Sequence, residues 1–276
     1  MEIQPYGAMI AIGVLAAGAV GRWLAKKFSI DFNDVILMFA YALSLGFIGA
    51  KCAYLLLNFR RIPWREMGLM NVIADGGYIF YGGIPFGMGG LLLAGKIHGI
   101  ELRKYLRVCG PLLPLGHAFG RVGCSLAGCC YGVSYSGPLA VTYHHSLIAP
   151  NTMPLFPVQL LEAVLLLGLA IVLLAAVLRG VSFPGMVGLY FGGYAVMRFG
   201  LEFLRGDLER GVAAGLSTSQ WISVGVLVGL IAWQCGSIII KRRDRMKKIL
   251  SAISCVAVLA AAVLGIKLFG RKKKEA

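Results

Sequence analysis

Residues 157–178 are PVQLLEAVLLLGLAIVLLAAVL, an apolar run whose single charged residue, Glu162, lies near its start. An apolar run of about 20 residues is long enough to cross the hydrocarbon core of a bilayer as a helix. The whole chain has this character: 58% of its 276 residues are hydrophobic and 14% are charged, against about a quarter charged in a soluble domain. The sequence therefore predicts an all-α, polytopic helical membrane protein.

Similar apolar runs predict seven transmembrane helices, at about residues 7–25, 35–57, 78–96, 105–120, 157–178, 186–205 and 219–240. An eighth apolar run, at 249–269, has basic clusters on both sides, so it either crosses the membrane or lies along the cytoplasmic interface. Residues 121–156, between helices 4 and 5, are more polar and predict a small extracytoplasmic head segment. We expect a transmembrane domain over 1–240, followed in 241–276 by a basic linker, the extra apolar segment and a basic tail.

The net charge of +15 comes largely from basic residues that flank the apolar runs. Lys and Arg at such positions set membrane orientation and contact anionic headgroups, so the charge does not indicate nucleic-acid binding. Their distribution favours a multi-pass protein of the cell membrane with its N-terminus outside. The start MEIQPYG has no basic n-region, so we expect no cleaved signal peptide.

Three arginines lie at the outer ends of the predicted helices, where a cation without a function is not expected. Arg121 follows Gly120 and precedes Gly123, and a guanidinium flanked by glycines can approach and bind a phosphate. The alternative is an interfacial arginine whose head reaches water. The other two are in MRFGLEFLRGD, where Arg198, Glu202 and Arg205 have the spacing of one helix face. Glu202 can neutralise only one of the two arginines. The remaining positive charge favours an anion-binding site over an ion pair that only joins two helices.

Two further segments place polar groups inside apolar helices. In ADGGYIFYGGIPFGMGG, Tyr81 precedes Gly82 and Gly83. Most of these glycines indicate close helix packing, but a tyrosine hydroxyl in an apolar helix needs a polar partner. Gln159 and Glu162 form a polar face on the fifth predicted helix, and such a lone pair is more often structural than catalytic.

Three of the seven cysteines, Cys124, Cys129 and Cys130, fall in the predicted head segment. Disulfides persist outside the cytoplasm, which favours a disulfide over a reactive thiol. The C-x4-C-C spacing matches no common structural zinc pattern, and a zinc site would need a fourth ligand such as His117, His144 or His145. We therefore expect neither a metal nor another cofactor.

Taken in order, these segments resemble the prolipoprotein diacylglyceryl transferase family over about residues 1–235. QPYGAMIAIG resembles the family's amino-terminal Tyr-Gly segment through Tyr6, and IGAKCAYLL its Gly-Ala-Arg segment, with Lys51 in place of arginine. GGYIFYGG is similar to Gly-Gly-x-x-x-His-Gly-Gly, and FPVQLLEA to His-Pro-x-Gln-x-x-Glu-Ala. RFGLEFLRGD and GLSTSQWIS resemble the closing segments. Arg121 matches the arginine of Gly-Arg-x-Gly-Asn-Phe-x-Asn-x-Glu-x-x-Gly, and Arg198 that of Arg-x-x-x-Glu.

The resemblance implies transfer of the diacylglyceryl group of phosphatidylglycerol to the thiol of a lipobox cysteine in a prolipoprotein signal peptide, with release of glycerol phosphate. It implies a site facing the outer leaflet, in which Arg121 and Arg198 hold the phosphate and Glu202 orients Arg198. Tyr81 would serve the thiol proton. The residues expected to contact substrate are Tyr6, Lys51, Gly82, Gly83, Gly120, Gly123, Gln159, Glu162 and Arg205.

The sequence departs from the family pattern at several positions, including those whose side chains would transfer protons or form amide hydrogen bonds. Tyr81 and Phe156 stand at histidines, Cys124 and Ala127 at the two motif asparagines, Ser125 at the phenylalanine and Cys129 at the glutamate. Two alternatives therefore stay open beside the transferase. One is a paralogue that passes the phospholipid-derived group to another acceptor, and the other is a non-catalytic lipid-binding or transport protein.

Overall fold

The computed structural model describes residues 5–60, 62, 64, 68, 70–72, 78–207 and 212–240. Most of them are helical, and the helices are α1 Pro5–Phe28, α2 Phe32–Asn58, α3 Phe80–His98, α4 Leu102–Cys109, α5 Leu112–Ala127, α6 Val158–Leu178, α7 Phe183–Leu201 and α8 Thr218–Ile240. A single 3-10 turn, Glu202–Leu204, continues α7. The eighth apolar run at 249–269 and the basic tail lie outside the described residues.

Four helices of the described chain are long and apolar enough to cross a membrane, namely α1, α2, α6 and the Thr218–Gly236 part of α8. Their outward faces carry large apolar side chains such as Leu15, Leu56 and Ile171, which are mostly exposed in the protein alone. Exposed apolar surface on this scale needs a lipid environment. The multi-pass membrane class is therefore confirmed, whereas the number of seven or eight spans stays a prediction.

The predicted fourth span, 105–120, is wrong in its boundaries. The chain forms a short helix, α4, that ends at Cys109, and a second helix, α5, that runs from Leu112 to Ala127. Gly110 and Pro111 separate them, because proline has no backbone N–H and disfavours helical geometry in the residue before it. α5 therefore extends seven residues into the predicted head segment, and Arg121 lies on a helix.

The segment between α5 and α6 contains the short strands β1 Val141–Thr142 and β2 Pro154–Leu155, which pair antiparallel with Val141 opposite Leu155. A second antiparallel pair, β3 Val212–Ala213 and β4 Leu216–Ser217, precedes α8. The fold is thus mostly helical rather than strictly all-α, because each of these two loops contains a pair of two-residue strands. Strands this short leave no apolar run in the sequence that could predict them.

The chain divides into two compact units. The first contains the described residues up to Gly18 and those from Gly110 onward, and the second contains Ala19–Cys109. In the second unit, α2 and α3 pack closely, and a side chain at Gly82 would meet Ala53 and the backbone of Gly49. Gly83 similarly lies against the backbone oxygen of Gly46. These contacts support helix packing as the role of both glycines.

In the first unit, α6 packs against both α5 and α7, and α7 packs against α8. Leu166, Leu173 and Val177 of α6 are fully buried and form the apolar centre. The start of α1 crosses α5 at Gly123, where an added Cβ would lie 3.1 Å from Tyr6 Cδ2 and 3.3 Å from Met9 Cβ. This packing brings the ends of α5, α6 and α7 together, and the candidate site lies there.

Candidate active site

An ion pair joins α5 to α6 inside the first unit. Arg121 Nε lies 3.1 Å from Glu162 Oε1, and the two side chains are 15% and 2% exposed. The two atoms form no aligned hydrogen bond within the described part of the chain. Glu162 sits one turn into α6, which places its carboxylate beside the second half of α5. Glu162, one of the two polar residues predicted on this helix, therefore pairs with Arg121 and does not belong to an isolated polar pair.

A second ion pair lies at the end of α7. Arg198 Nη2 is 2.6 Å from Glu202 Oε2, one helical turn further on, and it also donates a hydrogen bond to Ser219 Oγ of α8 at 3.1 Å. Arg198 is only 8% exposed. Its other terminal nitrogen, Nη1, is buried and meets no acceptor among the residues that the structure describes. A buried guanidinium with an unused donor can bind an anionic oxygen.

The aromatic residues His117 and Tyr194 connect the two ion pairs. Their ring centroids are 5.8 Å apart, with His117 on α5 and Tyr194 on α7. His117 lies within electrostatic range of both Arg121 and Arg198. Tyr194 interacts with the same two arginines and lies within hydrogen-bond reach of Arg121. Two guanidinium groups therefore converge on one polar cluster inside an apolar bundle.

Arg205 does not belong to the arginine stripe that the sequence predicted. α7 ends at Leu201, the 3-10 turn follows, and Arg205 has extended backbone with φ −86° and ψ 140°. Its Nε and Nη2 donate to Asp207 Oδ1 and Oδ2 at 2.8 and 2.7 Å. The expected surplus cation is therefore wrong, because this arginine has its own carboxylate.

The loop after α5 is held against the 3-10 turn by backbone contacts. Gly206 N–H donates to Tyr131 O at 3.0 Å, and Val133 N–H donates to Leu204 O at 3.0 Å. Gly132 is required between them, since a Cβ there would run into Phe156 O and lie 3.0 Å from Leu204 O. This approach explains the last glycine of the motif and places Arg205 beside the cysteines.

Cys124, Cys129 and Cys130 form one cluster, with all three Sγ atoms within 4.8 Å of one another. All three are free thiols. Hydrogen bonds from the thiols of Cys124 and Cys129 lower the pKa of Cys130, and Arg205 lowers that pKa further through a hydrogen bond and its charge. Gln159 Nε2 donates to Cys129 O at 2.9 Å, which fixes the loop from α6.

The remaining predicted site residues belong to both units. Tyr6 is 41% exposed and lies within electrostatic range of the cysteine cluster and Arg121. Among the described residues, no neighbouring atom lies within 4 Å of a Cβ added at Gly120. In the second unit, Lys51 is buried, with Nζ 5.2 Å from the ring centroids of both Tyr54 and Tyr78. The side chain of Tyr81 lies outside the described part.

Sequence reasoning missed three residues that interact with the predicted ones, Tyr194, Asp207 and Ser219, and it named His117 only as a possible zinc ligand. A signal existed for Tyr194, because Tyr190, Tyr194 and Arg198 recur every four residues and so lie on one face of α7. A signal also existed for Asp207, because side chains two residues apart in an extended chain lie on the same side and can form an ion pair. Ser219 lies in GLSTSQWIS, a segment that resembles the family, but nothing in that resemblance indicated its contact with Arg198.

Comparison with known proteins decides the family. A model of the family "Prolipoprotein diacylglyceryl transferase" matches residues 1–235. The chain belongs to this family. It is 32% identical over 234 residues to the phosphatidylglycerol--prolipoprotein diacylglyceryl transferase of Clostridium tetani, covering 84% of this chain and 93% of the relative. It is 29% identical over 231 residues to transferase 2 of that name from Clostridium perfringens, covering 83% and 89%.

As a member of the prolipoprotein diacylglyceryl transferase family, the protein is a membrane transferase. The family assignment accounts for the location of Arg121, Glu162, Arg198 and Glu202 in segments that resemble the family motifs. The cysteine cluster occupies the segment that departs from those motifs.

Proposed function

We propose that the protein transfers the diacylglyceryl group of phosphatidylglycerol to the thiol of a lipobox cysteine in a prolipoprotein. The observation that carries this proposal is the buried Nη1 of Arg198, which meets no acceptor among the described residues, while His117 lies within electrostatic range of both Arg198 and Arg121. Each arginine keeps its charge through one carboxylate and retains donors for a ligand. The names of the relatives support this donor and this acceptor.

The chemistry assigned to the two arginines is electrostatic. In the proposed reaction the acceptor sulfur forms a bond to the glyceryl carbon, and the bond from that carbon to the phosphate oxygen breaks. The phosphate leaves with the electron pair as glycerol phosphate, so its negative charge grows during the reaction. Guanidinium donors in a site without bulk water stabilise such developing charge strongly. Glu202 and Ser219 fix the orientation of Arg198.

The test is a transfer assay on the purified full chain in phosphatidylglycerol-containing nanodiscs with a lipobox peptide. We expect a diacylglyceryl mass gain on the peptide thiol, and a loss of at least about 100-fold in rate for Arg121→Ala, the scale of one lost transition-state donor. Arg179→Ala is the matched control, because Arg179 is an exposed arginine at the end of α6. Equal activity of Arg121→Ala and the wild type would overturn the assignment.

A related proposal concerns orientation. The excess of basic residues in one set of loops supports an N-terminus outside the cell and a site that faces the outer leaflet. An epitope tag placed before Met1 should be removed by protease in intact cells. Protection of the tag in intact cells, with removal only after lysis, would reverse the orientation.

One observation favours a second candidate, a paralogue with another acceptor. The cysteine cluster replaces residues of the family motif that lie beside the arginines. In this case a new lipid product would form from phosphatidylglycerol in the absence of any lipobox peptide. A protein that binds phosphatidylglycerol through Arg121 and yields no product in either assay would instead be a non-catalytic lipid-binding protein.

A further inference from the structure

The three clustered thiols have the geometry of a metal site. Zinc–thiolate bonds are about 2.3 Å long, so the sulfurs of a tetrahedral site lie about 3.8 Å apart. Cys124, Cys129 and Cys130 already have their Sγ atoms within 4.8 Å of one another. Each pair of sulfurs therefore lies at most about 1 Å further apart than in a tetrahedral zinc site.

Backbone hydrogen bonds hold these positions, together with a weak one from Cys129 Sγ to Cys124 O at 3.8 Å. Gly128 ends α5 with φ 75°, and its N–H donates to the carbonyls of Cys124 and Ser125. Cys129 N–H donates to Cys124 O at 3.1 Å, and its carbonyl accepts from Gln159. Cys130 has φ 58°, a left-handed conformation that a residue with a Cβ rarely adopts. Such local strain is concentrated at functional sites.

The charge around the cluster also fits a metal thiolate. Three thiolates and one Zn²⁺ carry a net charge of −1. Arg205 hydrogen-bonds Cys130, and the cluster is within electrostatic range of Arg121. Hydrogen bonds from surrounding groups to ligating atoms are the usual support of a metal site.

We propose that Cys124, Cys129 and Cys130 bind one Zn²⁺ ion through three thiolates and leave its fourth coordination position open. Within the described residues, the group of metal-ligating side chains at this place comprises these three alone. Three protein ligands and one open position are typical of catalytic rather than structural zinc.

The acceptor thiol would take the open position, and this step rests on the transferase function proposed above. A thiol that coordinates zinc loses its proton, here to solvent, and becomes the thiolate that acts as nucleophile. Its sulfur then forms the bond to the glyceryl carbon while the carbon–oxygen bond to phosphate breaks. The metal would replace the base that the family motif supplies through the residues that this chain lacks.

Metal binding is tested without activity. The full chain, purified in nanodiscs under reducing conditions and loaded with Zn²⁺, should contain one zinc per chain by elemental mass spectrometry. Loading with Co²⁺ should give an intense thiolate-to-cobalt charge-transfer band. Cys124→Ser, Cys129→Ser and Cys130→Ser should each weaken Zn²⁺ binding by at least tenfold, whereas Cys109→Ser and Cys235→Ser should bind as the wild type does.

Three results would overturn the site: no bound zinc, zinc that persists in all three serine variants, or a disulfide among the three cysteines in protein isolated with thiols trapped by alkylation. Folding of each variant is checked by its thermal unfolding profile, and Cys124→Ala, which keeps an apolar side chain, serves where Cys124→Ser unfolds.

A transfer assay with and without zinc distinguishes the proposed metal site from the proposed transferase function. Chelator-treated protein should lose transfer to the lipobox peptide by at least tenfold and recover it with Zn²⁺. Equal transfer with and without zinc would overturn thiol activation and leave the transferase function standing. Stoichiometric zinc without transfer to any lipobox peptide would overturn the transferase function and leave the metal site standing.

Discussion

Each of the three site arginines in the first unit has a carboxylate within contact distance, and this pairing determines the effect of single substitutions. The pairs are Arg121–Glu162, Arg198–Glu202 and Arg205–Asp207. A buried charge pair gives little net stability compared with apolar packing, but removal of one partner leaves a costly unpaired charge. The carboxylates therefore maintain the charged arginines inside the bundle.

Glu162→Gln tests this role of the carboxylates. It leaves the Arg121 guanidinium buried without its counter-charge, so we expect a loss of about 3 kcal/mol, the lower end of the range for a broken buried pair. The double variant Arg121→Gln with Glu162→Gln should lose less than Glu162→Gln alone. The measurement is denaturant unfolding in detergent, with exposed Glu101→Gln as the control. A double variant as unstable as the sum of the singles would contradict this interpretation.

The lowered pKa of Cys130 predicts an unusual pH dependence of alkylation in chelator-treated protein. Hydrogen bonds from the Cys124 and Cys129 thiols, with a further contribution from Arg205, favour its thiolate. A group with a depressed pKa stays deprotonated to lower pH, so its reaction with iodoacetamide should slow less between pH 8 and pH 6 than that of an ordinary thiol. Glutathione, with an ordinary thiol pKa near 8.5, should slow roughly 80-fold over the same interval.

The control for Cys130 is Arg205→Gln, which removes one of the groups that favour the thiolate. In this variant the alkylation rate should begin to fall at a higher pH than in the wild type. Mass spectrometry of the modified peptide reports each rate. A rate for wild-type Cys130 that follows glutathione over the whole interval would show an ordinary thiol at this position.

At the scale of elements, the two glycines on either side of Arg121 have different roles. Gly123 faces α1, where its Cβ position is 3.1 Å from Tyr6 Cδ2 and 3.3 Å from Tyr6 O. A Cβ at Gly120 would meet no atom of the described residues within 4 Å. Gly123→Val should therefore separate α1 from α5 and cost about 1–3 kcal/mol, as overpacking does. Gly120→Ala should stabilise α5 by up to about 1 kcal/mol through helix propensity. Thermal unfolding of both variants tests the contrast, and equal shifts would contradict it.

The same comparison applies to α2 and α3 in the second unit. Gly82→Ala would place its Cβ against Ala53 and 2.7 Å from Gly49 O, both on α2. We expect a loss of about 1–3 kcal/mol from this overpacking. Gly89→Ala on the same helix has open space and should be neutral or stabilising. If Gly82→Ala lowers transfer activity and leaves unfolding unchanged, the glycine contacts substrate, as the family resemblance implies, and not α2.

At the scale of the molecule, apolar runs and family motifs predicted the membrane class, the helices and the arginine–glutamate pair of α7, because hydrophobic periods and local spacing are sequence properties. They did not predict the break at Gly110–Pro111, where a backbone restriction overrides hydropathy. They placed Arg205 on a helix that ends four residues earlier. They also did not predict that the sulfurs of Cys124, Cys129 and Cys130 lie together, because this depends on the left-handed backbone at Gly128 and Cys130.

The unused donor of Arg198 leads to a prediction for the whole protein, because a ligand that binds the folded state stabilises it globally. At about 100 times its Kd, phosphatidylglycerol should raise the free energy of unfolding by about 2.7 kcal/mol. Phosphatidylcholine, whose headgroup is zwitterionic, should raise it less. Arg198→Gln should abolish the difference between the two lipids, and Arg179→Gln should retain it, because Arg179 is exposed. Thermal unfolding in detergent at a series of lipid concentrations measures both effects. An equal response of Arg198→Gln and the wild type would place the phosphate elsewhere than at this guanidinium.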